Sequence, residues 1–114
     1  MKNQIIDINE STIKKFVESL RPEKLEIREQ IDMGYSYDGK IAILFEIRPH
    51  WRDETKKLQS VFAKIRYTKS KKEWSLYWMR ASGKWELYEP FSKSDTLDKI
   101  IDVVKNDNYG CFFG

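Results

Sequence analysis

Apolar residues recur along this chain with two different periods. Near the start, Ile13, Phe16, Val17 and Leu20 are spaced three and four apart, while Lys14, Lys15 and Glu18 fall between them. That spacing puts one apolar stripe on a helix. Asp7 and Glu10 have the separation of a capping box, so the helix is expected to begin near Asp7 or Asn9. Arg21-Pro22 ends it, because a residue before proline avoids helical geometry. From Leu25 the pattern turns to alternation. Leu25, Ile27, Ile31, Met33, Tyr35 and Tyr37 take one side, and Glu26, Arg28, Gln30, Asp32 and Ser36 take the other. This predicts a strand with one buried face. A second strand, Lys40 to Arg48, is expected to bury Ile41, Ile43, Phe45 and Ile47.

The register of this hairpin follows from matching apolar faces. A two-residue loop pairing Tyr37 with Lys40 sets apolar positions against polar ones. A three-residue loop, Tyr37-Asp38-Gly39, pairs Ser36 with Lys40 and Tyr35 with Ile41. The expected turn therefore has a left-handed Gly39 and a glycine bulge. In that register Asp32 lies across from Leu44, and Gln30 lies across from Glu46.

Pro49 closes the second strand, and His50 to Lys57 reads as a polar loop. A third strand runs from Leu58 to Thr68, with a basic tip at Lys69-Ser70-Lys71-Lys72. The fourth strand is Glu73 to Arg80, the turn is Ala81-Ser82-Gly83, and the fifth strand is Lys84 to Glu89. A last helix is predicted with Ser94 as N-cap, Asp95 and Asp98 in its first turn, and Leu97, Ile100, Ile101 and Val104 as its stripe. Asn106 to Gly110 stops it. Short consecutive hairpins between two helices predict an α+β fold: N-terminal helix, five-stranded antiparallel meander sheet, C-terminal helix. No repeat or linker breaks the pattern, so residues 1–114 form one domain.

The ribbon from Trp74 to Pro90 is apolar or aromatic on both flanks. Trp74, Leu76 and Trp78 point one way, and Tyr77 and Met79 the other. A sheet wet on one face does not carry such a strand. A helix, another subunit or a ligand is expected to cover the second face, and a homodimer is the expected assembly.

Composition narrows the setting. Hydrophobic residues make up 40% and aromatics 14%, enough for one core built from large rings. The formal charge of +3 permits a polyanionic partner without demanding one. Cys111 is the one cysteine, so no internal disulfide forms. No apolar run approaches the ~20 residues of a membrane span. The first ten residues carry acids where a signal peptide has its apolar core. A cytoplasmic, membrane-free protein with reduced Cys111 is expected. Cys111 stands fourth from the end, as in a prenylation box, but Phe112, Phe113 and Gly114 fit that box poorly and read instead as an anchor against the sheet.

Two constellations could carry chemistry. Lys64, Arg66, Lys69, Lys71 and Lys72 lie on or near one hairpin, followed by Trp74, Tyr77, Trp78, Arg80 and Trp85. Cations meet phosphates and flat rings stack on bases, so this set predicts contact with nucleic acid, with Trp78, Trp85 and Arg80 at the bases. The alternative is a Mg²⁺-dependent phosphodiesterase using Asp32 and Glu46 with Arg48 nearby. Arg48 stands where such sites use a lysine and stays protonated at neutral pH. A cross-strand charge network is the structural alternative for that trio, and a protein-interaction scaffold is the third functional one. His50 has no cluster around it in sequence. No nucleophile elbow, phosphate loop or dinucleotide fingerprint is present.

The segments F-E-I-R-P (Phe45 to Pro49), Y-W-M-R (Tyr77 to Arg80), K-W-E-L-Y-E-P (Lys84 to Pro90), G-C-F-F-G (Gly110 to Gly114) and D-x-G-Y (Asp32 to Tyr35) resemble domain-of-unknown-function family 3024. The resemblance spans almost the whole chain. It implies a small bacterial protein and carries over no catalytic residue.

Overall fold

Residues 7–113 are described by the structure, a computed structural model. Most of the segment read for a signal peptide, and Gly114 of the terminal pentapeptide, lie outside the described residues. The first helix, α1 (Ile8–Leu20), is capped as its sequence demands: Asp7 Oδ1 accepts from the amides of Asn9 and Glu10. Glu10 does not complete the box; it accepts from Tyr35 Oη at 3.0 Å and so ties the helix to the sheet. Ile13, Phe16 and Val17 are buried.

The next segment departs from expectation. Leu25–Arg28 is a single helical turn, α2, and the first strand, β1, covers only Asp32–Tyr37. Leu25 is 70% exposed. The alternation of Leu25 and Ile27 with charged residues also fits one short turn. Pro22 and the amides closing on Lys24 O select that turn.

The remaining strands are β2 (Ile41–Pro49), β3 (Lys57–Thr68), β4 (Glu73–Met79), β5 (Trp85–Leu87) and β6 (Lys93–Ser94). They form one antiparallel sheet ordered β1-β2-β3-β4-β5, with β6 also beside β4. The predicted fifth strand is shortened and its line is broken by a 3-10 turn at Glu89–Phe91. Leu76 bridges the break: its C=O accepts from Tyr88 and its N–H donates to Ser92 O. Ser94 is a buried strand residue, and the N-cap of α3 (Leu97–Asn106) is Thr96. The α3 stripe is buried as predicted. The N-terminal helix, antiparallel sheet and C-terminal helix make an α+β fold.

The predicted hairpin register is wrong. Tyr37 pairs with Ala42, Tyr35 with Leu44 and Asp32 with Ile47. The cause is the Asp38 carboxylate, which accepts from both Lys40 N (2.9 Å) and Ile41 N (2.7 Å), while Asp38 N donates to Ile41 O. Asp38 and Ile41 therefore face each other, and the chain reverses through Gly39-Lys40. Gly39 does adopt a positive φ of 99°. This register sends Ala42 and Leu44 to the core and Ile43, Phe45 and Ile47 to the other face, reversing the predicted burial. Large-small pairs Ala42–Ile65 and Leu44–Ala63 make the floor that receives Ile13, Phe16 and Val17. At Leu44/Phe45 a bulge makes Phe62 the extra residue of β3, and Phe62 and Ala63 are both buried.

The buried cluster joins α1, α3 and one face of the sheet. The C-terminal rings close it: Phe112 packs on Tyr88 at 5.0 Å and Phe113 on Phe62 at 5.2 Å. The molecule is a slab 22 Å thick, the depth of one helical layer on one sheet. Among the described residues no helix is long and apolar enough to cross a membrane.

Candidate functional site on the open sheet face

Alternation along the strands decides what lies on the face away from α1 and α3. In register, Ser36, Ile43, Lys64, Tyr77 and Leu87 form one row across the sheet. Gly34, Phe45 and Val61 begin a second row, and Met79 pairs with Trp85 on the same face. Arg66 and Ser75 form a third. The apolar members are half-buried rather than buried, as expected of a face shielded only by its own neighbours. Both flanks of β4 are thus apolar, as the sequence demanded, but the described residues place helices over one flank alone.

Charge on this face is one-sided. Lys64 Nζ stands 5.0 Å from the centroid of Tyr77. Arg66 is exposed, and neither cation has an ion-pair partner among the described residues. The two carboxylates of the face are already engaged. Glu73 pairs with Lys93 at 4.0 Å. Asp32 sits in the fork of Arg21, with Nε–Oδ1 2.8 Å and Nη2–Oδ2 3.0 Å. That guanidinium, helped by the Met33 amide, holds the Asp32 carboxyl below the usual carboxylate range.

The basic-aromatic set divides between the two faces. Lys64, Arg66, Tyr77 and Trp85 share the open face. Lys69, Lys71 and Lys72 are exposed at the β3–β4 tip, where Lys72 takes a positive φ of 51°. Trp74 is core, packed on Tyr67 at 4.8 Å. Trp78 faces the helices and packs against the core, so it is not available as an open-face ring. Arg80 follows it there, 5.9 Å from the Trp78 ring and 2.7 Å from Glu86 Oε2 in an ion pair without hydrogen-bond geometry. Parity along β4 separates both residues from Lys64.

The predicted meeting of Asp32, Glu46 and Arg48 forms only in part. Glu46 pairs with Arg48 at 3.2 Å. Glu46 lies opposite Met33 on the helix side, whereas Asp32 lies opposite Ile47 and is held by Arg21. The altered register puts the two carboxylates on opposite faces, so they do not form the paired Mg²⁺ ligands of the alternative reading. Among the described residues no three His, Cys, Asp or Glu side chains come together as a metal-binding group.

His50 has a local role: its Nδ1 accepts from the amides of Arg52 and Asp53 and holds the loop. Its ring stacks on Trp51, which Arg52 covers at 4.3 Å. Beside this loop is a cleft of about 640 Å³ between Glu29, Gln30, Arg48 and Lys57, where Lys57 Nζ donates to Glu29 O. Its charges are mixed. Sequence reasoning missed Phe45 as an open-face residue. The continuous apolar run Ile41 to Phe45 was the available signal, since such a run marks a strand with two apolar faces.

No curated protein and no solved structure matches this chain. The segments from Asp32 to Gly114 that carry the resemblance do lie within a full-length family match. The chain belongs to the family described as Domain of unknown function (DUF3024), which matches residues 1–114.

Proposed function

We propose that this chain is a binding module for single-stranded nucleic acid, which crosses the open face of the sheet. The observation that carries this reading is the meeting, on the face that the described helices leave open, of Lys64 and Arg66, which have no ion-pair partner among the described residues, with the rings of Tyr77 and Trp85. Cations neutralise phosphates, and base-aromatic stacking contributes about 1–3 kcal/mol per base without regard to sequence. Lys69, Lys71 and Lys72 extend the positive field past the edge of the face. A duplex hides its base faces, so rings on a flat sheet favour a single strand.

A second copy of the chain is the rival occupant. Against it, the carboxylates described on that face, Asp32 and Glu73, already have cationic neighbours of their own. A polyanion supplies the missing charge.

Titration of tryptophan fluorescence with oligothymidylate and oligouridylate tests the reading. Quenching with an affinity that falls as salt rises supports it. No binding at about 50 mM salt ends it. A chain that scatters light as a stable dimer and ignores oligonucleotides transfers the face to the second copy.

A further inference from the structure

Gly34 lies opposite Phe45 on the open face. A Cβ at Gly34 would stand 2.7 Å from Phe45 Cε1 and 3.0 Å from Cζ. One edge of the ring therefore fills the space beside the bare backbone of β1 that any side chain would occupy. Gly34 has no positive φ to explain it. Its missing side chain makes room for the ring. The rest of the ring stays on the open face, where Phe45 is only half-buried.

We infer that Phe45 is a third stacking platform, and that a single strand crosses the β-strands from Trp85 on β5 over Tyr77 on β4 to Phe45 on β2. This rests on the nucleic-acid reading and adds a direction and a length to it. Neighbouring strands lie about 4.8 Å apart and same-face residues about 6.6 Å apart along a strand, so Tyr77 and Phe45, one row apart with β3 between them, are separated by about 12 Å. Lys64 occupies that gap, in the row joining Ile43 to Tyr77. A base on Tyr77 displaces the Lys64 ammonium from the ring towards the phosphate that spans the gap. Three rings across one sheet fit a site of about four nucleotides.

The test uses the full chain and oligothymidylates of about two, four and eight nucleotides, read by tryptophan quenching. Phe45→Leu keeps the apolar contact with the sheet and removes the ring. It should lose about 5- to 150-fold on the four- and eight-nucleotide strands and nothing on the dinucleotide. Trp85→Leu should weaken all three. Gly34→Ala retains Phe45 but lifts its ring; it should reproduce the Phe45→Leu pattern and serves if that variant does not fold. A Phe45→Leu protein that binds the four-nucleotide strand like the wild type, or loses equally on every length, overturns the path and leaves the nucleic-acid reading standing. Wild-type protein that binds no strand overturns both.

Discussion

Arg21 closes the first helix and clamps Asp32 at the head of β1 through two hydrogen bonds, 2.8 and 3.0 Å long. The pair joins residues eleven apart in sequence and fixes where the helix leaves the sheet. It also takes the carboxylate that a metal site would need. The folded Asp32 has a depressed pKa, chiefly through the Arg21 hydrogen bond. Its stabilising contribution is therefore full above the unfolded value of about 3.9 and is lost as pH falls through the folded one.

Asp32→Asn should lower stability at neutral pH by about 1–3 kcal/mol. Urea unfolding between neutral pH and about pH 3 should show a shallower acid decline in this variant than in the wild type. Some slope should persist, because the amides of Ile41 and Lys40 also depress Asp38. Identical slopes would mean that the clamp contributes nothing.

Leu44 and Ile43 separate the observed register from the predicted one. Leu44 is fully buried beneath the helices, and Ile43 is half-buried on the open face. Leu44→Ala should cost about 2–5 kcal/mol, and Ile43→Ala about 1 kcal/mol or less. Denaturant midpoints decide it, and the reverse order would restore the rejected pairing.

Asp107 ends α3 with a φ of 44° and accepts from the amides of Phe112 and Phe113 at 3.0 and 2.8 Å. It turns the tail back so that Phe112 reaches Tyr88. Asp107→Ala should lose about 1–3 kcal/mol and deprotect the tail amides in hydrogen exchange. Asp107→Asn tolerates the left-handed backbone and retains one acceptor oxygen, so it should lose less. Equal loss in both variants would assign the effect to charge.

The two faces of the β3–β4 hairpin make opposite predictions for charge reversal. Lys64→Glu with Arg66→Glu should weaken oligonucleotide binding at least tenfold and flatten its salt dependence by about two phosphate contacts. Arg80→Glu, on the helix side, should change binding far less. Fluorescence titration across a salt series reads both, and a dominant Arg80 effect would place the ligand on the wrong side of the sheet.

Much of the fold was legible because its signals are local. The α1 and α3 stripes need only their own spacing, and the two-sided character of Trp74 to Met79 needs only alternation. Leu25 to Arg28 was misread because four residues cannot tell a helical turn from a strand by period. The β1–β2 register was misread because the largest apolar residues were taken as the buried ones. The Asp38 carboxylate instead set the turn, and small Ala42 went under the helices.

The candidate site was legible as a list and not as a place. Lys64, Arg66 and Trp85 were singled out with Trp78 and Arg80, although the pairing of Lys64 with Tyr77 puts the last two across the sheet. Phe45 was assigned to the core with the other large residues of its strand, and the register was then matched to that choice.

The sequence by itself determined the periodicities, the α+β order and the apolar character of both flanks of β4, since each follows from residue spacing along one element. Only the tertiary structure decided which face the helices cover, because a single extra residue in a turn exchanges every side chain between faces. That choice buried Ala42 and Leu44, and it set Phe45, Lys64, Tyr77 and Trp85 on the face the helices leave open.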